Sequence, residues 1–80
     1  MGRQRNEQTI ADIRRAIWGL FVEQGFAKTS FSAVAQRAGL QRSIVQYYFS
    51  KKEDFATIVN AQVSETIMAA VDELLSLIHI

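Results

Sequence analysis

Apolar residues in this chain recur every three or four positions, and no proline interrupts them. That spacing is the period of a helix face, not of a strand, where every second residue would be apolar. Ile10, Ile13, Ile17, Leu20 and Phe21 mark one such face, which predicts a first helix from about Gln8 to Gln24. Gly25 is expected to end it as a left-handed cap. Gly19 lies inside it at a cost of about 1 kcal/mol against alanine and would suit the close approach of another helix.

After the link Gly25-Phe26-Ala27-Lys28-Thr29-Ser30, Ser30 is a good N-cap for a second helix over about Phe31 to Ala38. Gly39 breaks that helix, and Leu40 follows as an apolar plug. A third short helix is expected from about Arg42 to Tyr48, with Val45 and Phe49 facing inward. Ser50-Lys51-Lys52-Glu53 has the spacing of a capping box and opens a fourth helix. Its stripe is Phe55, Val59, Val63, Ile67, Val71 and Leu74. The chain therefore reads as all-α, with helices near 8–24, 31–38, 42–48 and 52–76. The predicted core is Ile13, Ile17, Leu20, Phe21, Val34, Ala35, Leu40, Val45, Phe49 and Phe55. Trp18, Phe26 and Phe31 are most economically core as well.

Eighty residues allow one small domain with a limited core. Absence of cysteine excludes disulfides and thiolate metal sites. The sequence implies no cofactor and no metal. No run has the length of a membrane span, and Met1-Gly2-Arg3-Gln4-Arg5 lacks the apolar stretch of a secretory signal. A soluble cytoplasmic protein is the simplest reading. Charge is unevenly spread. Residues 1–52 hold all nine Lys and Arg against Glu7, Asp12 and Glu23, a net of +6; residues 53–80 hold five acids and no Lys or Arg, a net of −5. A basic front suits a polyanion, although clustered surface charge alone would look the same.

Two short helices joined by Gly39-Leu40-Gln41 form a helix-turn-helix pattern. Its second helix can enter the major groove, where base edges differ. Residues 25–55 then resemble the DNA-binding region of the TetR family without a gap. The resemblance rests on Gly25, Thr29-Ser30, Val34-Ala35, Ala38-Gly39, Tyr48-Phe49, Lys52-Glu53 and Phe55. It implies a three-helix helix-turn-helix domain over 1–51 and a fourth helix, 52–80, leading into a helical effector and dimerisation domain. It also implies double-stranded operator DNA as partner, with a homodimer and a small-molecule effector in the full-length protein. Two positions depart from the family pattern. Gln41 stands where a small hydroxyl residue or another good cap is common, and Gln46 where an aromatic is usual. The general site transfers; the base preference does not.

The candidate DNA ligands are Ser30, Ser32, Arg42, Ser43, Ile44, Gln46, Tyr47, Tyr48, Lys51 and Lys52. Arg42, at the start of the third helix, could pair with guanine or a phosphate, and Gln46 with adenine. Ser43 and Ile44 could approach base edges, though Ile44 could equally pack under the helix. Tyr47 and Tyr48 resemble the family's DNA-contacting aromatic pair, with Tyr48's ring inward and its hydroxyl towards a phosphate. Ser30 and Ser32 lie where the second helix presents free N–H groups to the backbone; Ser30 could instead be only a cap. Lys52 opposes its own helix dipole, which becomes favourable if a phosphate sits there, and Lys51 adds to it. Arg3 and Arg5 belong to an N-terminal arm expected to lack fixed structure, which either follows the DNA or only solubilises the chain.

A helical protein-interaction module without DNA binding would also explain helices and an apolar tail, but not the uninterrupted match from Gly25 to Phe55. An enzyme is disfavoured: the sequence shows no paired-acid site or Gly-rich phosphate loop, and the single histidine, His79, is beside the terminus. Leu74-Leu75-Ser76-Leu77-Ile78-His79-Ile80 runs on with no Gly or Asn cap and no cationic last turn. The expectation is that the chain is part of a longer protein and that Leu77–Ile80 need not be native sequence.

Overall fold

A computed structural model describes the backbone of residues 2–78 and the side chains of residues 6–78. Four helices follow one another: α1 (Gly2–Gln24), α2 (Phe31–Ala38), α3 (Arg42–Tyr48) and α4 (Lys52–Ile78). A single 3₁₀ turn, Phe26–Lys28, lies between α1 and α2. Among the described residues there is no strand, and the all-α expectation holds.

The core is built where the apolar faces of all four helices meet. Ile13, Ala16, Ile17 and Leu20 of α1, Val34 and Ala35 of α2, Val45 of α3, and Phe55 and Val59 of α4 are buried together. The core thus crosses from the short helices into the first two turns of α4. Phe21, Leu40 and Phe49, expected inside, are half-buried and pack against its edge. Aromatic rings close that edge. Phe55 meets Phe31 at 4.9 Å and Phe49 at 5.9 Å between centroids, and Trp18 stacks on Phe21 at 5.8 Å.

The turns explain why the helices stop where they do. Gly39 adopts φ 72°, ψ 32°, the left-handed conformation, and its N–H bonds back to Gln36. Leu40 N–H reaches the Ala35 carbonyl at 2.8 Å, so two orphan carbonyls of α2 are satisfied by one reversal of the chain. Gly25 differs from expectation. Its φ of 89° is positive but its ψ is 166°, an extended conformation open almost only to glycine, and not the left-handed cap. The following 3₁₀ turn is closed by Thr29. This residue is fully buried, and its hydroxyl donates to the Gly25 carbonyl at 3.0 Å.

One helix start and one cap also differ, while α4 begins at Lys52 as expected. α1 begins at Gly2, six residues before the expected boundary. No proline or strong breaker stands between Gly2 and Gln8, and Gln4, Arg5 and Glu7 are good helix formers. The backbone carrying Arg3 and Arg5 is therefore helical rather than a free arm; their expected contacts lie outside the described side chains. At α4 the capping acid is Asp54, not Glu53. Its Oδ2 accepts from Lys51 N–H at 3.1 Å, because the helix starts one residue later than a Ser50 cap would place it.

Gly19 does mark a close approach, though by a side chain. The Arg37 guanidinium of α2 passes 3.0 Å from where a Cβ would stand. It then meets Glu23 of α1 with both nitrogens, Nη1 to Oε1 at 2.9 Å and Nη2 to Oε2. This fork ties the last turns of α1 and α2 together and holds the Glu23 carboxyl below the usual carboxylate range.

Candidate nucleic-acid interface

Helix α3 is seven residues long, and one residue fixes its orientation. Val45 is fully buried, so the opposite side of so short a helix must face out. Arg42, Ser43 and Gln46 are all exposed, and Tyr47 is 81% exposed. Positions 42 and 46, and 43, 46 and 47, are neighbours at three- and four-residue spacing, so these side chains form one patch. Ile44 is at the margin, 38% exposed, and joins the rim of that patch without being core. Gln41 stands at the N-cap with extended backbone and makes no side-chain capping bond, as expected of glutamine there.

On α2, Ser30 is the N-cap. Its oxygen accepts from Ala33 N–H at 3.1 Å, and its own proton is left free to donate. Ser32 is exposed in the first turn of the same helix. Lys51, between α3 and α4, is exposed. Among the described residues neither Lys51 nor Arg42 is in an ion pair, whereas Arg15 pairs with Asp12 at 3.6 Å and Arg37 with Glu23. The two cations flanking α3 therefore carry charge that no described acid neutralises, as do Arg14 and Lys28 elsewhere on the surface.

Two candidates are engaged inside the protein. The Lys52 ammonium donates to the Ala27 carbonyl at 3.2 Å and lies 5.0 Å from the Phe26 ring centroid. A cation at the start of α4 is therefore offset by a carbonyl and a ring face as well as by Glu53 and Asp54 in the same turn. Tyr48 is half-buried, edge-on to Tyr47 at 5.1 Å, and its hydroxyl donates to Asn6 Oδ1 of α1 at 3.0 Å. The ring is directed inward as expected; the hydroxyl's partner is a side chain 42 residues away. No local pattern could have found Asn6.

Short helices α2 and α3, locked by a glycine turn and anchored on a shared core, with a polar face on the second, define a helix-turn-helix DNA-binding domain. The sequence model of the bacterial regulatory proteins of the tetR family matches residues 13–57, more than half of the chain. The chain belongs to that family and carries its DNA-binding transcriptional regulator domain. Comparison with curated proteins and with solved structures gave no match. No helix among the described residues is long and apolar enough to cross a membrane.

Proposed function

We propose that this domain reads an operator in the major groove with α3, using Arg42, Ser43, Gln46 and Tyr47 at the bases and Ser30, Ser32, Lys51 and Lys52 at the backbone. The observation that carries the reading is the burial of Val45 against the exposure of Arg42, Ser43, Gln46 and Tyr47. A glutamine amide can match adenine and an arginine fork can match guanine, whereas phosphate ligands carry no sequence information. α4, whose first turns complete the DNA-binding core, leads on into the effector and dimerisation domain. The full-length protein acts in the cytoplasm as a ligand-responsive repressor and homodimer. Family membership supports each of these assignments.

Binding-site selection tests the reading, performed on the full-length protein and on Gln46→Ala and Arg42→Ala. Each variant should shift the selected consensus, at about 1–3 kcal/mol per lost base contact. Binding to random duplex should fall little for Gln46→Ala, which removes no charge, and more for Arg42→Ala. An identical consensus with identical spread from Gln46→Ala would remove Gln46 from the base-reading set.

A further inference from the structure

We infer that Asn6, at the start of α1, is a backbone ligand of the DNA interface and that Tyr48 acts through it. The inference rests on the reading of α3 as the groove-entering helix. It follows from counting protons. A tyrosine hydroxyl has one hydrogen to give, and phosphate oxygens only accept. Tyr48 gives its hydrogen to Asn6 Oδ1 at 3.0 Å. With that bond made, the phenol offers the duplex nothing but lone pairs.

The Asn6 amide is left with two N–H donors. Its carbonyl side is fixed by Tyr48, so its nitrogen side is directed away from the phenol. Asn6 is exposed, and Tyr48 belongs to the last turn of α3. The free donors therefore flank the helix that carries Gln46 and Tyr47. Asparagine amides are ordinary ligands of phosphate oxygens. In the sequence Arg3 and Arg5 precede Asn6 and Glu7 follows it, a net of +1 over residues 3–7. A direct Tyr48–phosphate bond would require the hydroxyl to leave Asn6 or the amide to turn over, and each alternative predicts a different ranking of variants.

The test uses the full-length protein and a labelled duplex of random sequence, with fluorescence anisotropy at several salt concentrations and a melting curve for each variant. Asn6→Ala should weaken binding about fivefold, the effect of one ordinary hydrogen bond. Tyr48→Phe should weaken it less, since the amide remains but is no longer held. The double variant should bind no more weakly than Asn6→Ala. Asn6→Asp keeps an acceptor for Tyr48 but puts a negative charge where donors stood. It should melt like the wild type and bind more weakly than Asn6→Ala, a separation that a purely structural role would not produce. A larger loss for Tyr48→Phe than for Asn6→Ala would overturn the inference, as would wild-type binding by Asn6→Asp. Failure of the wild type itself to bind duplex at low salt would overturn the underlying reading of α3 instead.

Discussion

At the scale of single residues, Lys52 separates what a side chain does for the fold from what it does for a ligand. Its ammonium is already held by the Ala27 carbonyl and the Phe26 ring, so it ties α4 to the turn after α1. Lys52→Ala should therefore lower the melting temperature, by the loss of a cation–ring contact of about 0.5–1 kcal/mol and one hydrogen bond. A salt titration of DNA binding reads the second role. A slope smaller by about one unit assigns Lys52 a phosphate, and an unchanged slope assigns it to the fold alone. The sequence allowed the orientation of α3 to be read correctly, because Val45 and Phe49 are one turn apart and only one face can be buried. It did not disclose that Lys52 meets Ala27 or that Tyr48 meets Asn6. Such pairs join residues 25 and 42 positions apart, and nothing in helical spacing reports them.

At the scale of elements, the existence and type of every helix were legible because the three-and-four period is strong and glycines punctuate it. Ends were less legible, since they depend on which of several polar groups wins a cap. Asp54 prevailed over Glu53 at α4, and Gly25 entered an extended conformation where a left-handed one was expected. The Arg37–Glu23 fork between α1 and α2 was invisible for the same reason as Lys52: its partners are 14 residues apart. It has a pH signature. The folded state holds the Glu23 carboxyl below its ordinary value, chiefly through hydrogen bonds from Arg37. A depressed carboxylate contributes stability that is present above the unfolded pKa and is lost as pH falls through the folded one. Melting temperatures of the wild type and Glu23→Gln should therefore differ at neutral pH and converge in acid. Both groups are exposed, so added salt should also narrow the gap. A gap that stays constant from neutral to acidic pH would mean that the fork does not couple the two helices.

At the scale of the whole molecule, the chain has two ends of different chemistry joined by one helix. α4 is 27 residues long, about 40 Å at 1.5 Å per residue, yet its last buried residue is Val59. From Ser64 to Ile78 every residue is exposed, including Ile67, Met68, Val71, Leu74, Leu75, Leu77 and Ile78. The sequence stripe was correctly read as one helix face, but only its first turns meet the core, because α1 and the two short helices supply no surface further along. Apolar surface of this extent drives association. The 80-residue chain should self-associate as its concentration rises, and Ile67→Lys with Leu74→Lys should weaken that association while leaving the α1–α3 core intact. Salt gives the argument its discriminating sign. The same stretch carries Glu65, Asp72 and Glu73 and no Lys or Arg, so copies meeting there repel one another at low salt and less as salt screens them. DNA binding by the basic helices should weaken as salt is added. Sedimentation across a salt series should thus show association strengthening over the range in which duplex binding declines. A chain that stays monomeric at every salt and concentration, or associates unchanged after both lysine substitutions, would show that the exposed stripe does not govern its behaviour in solution.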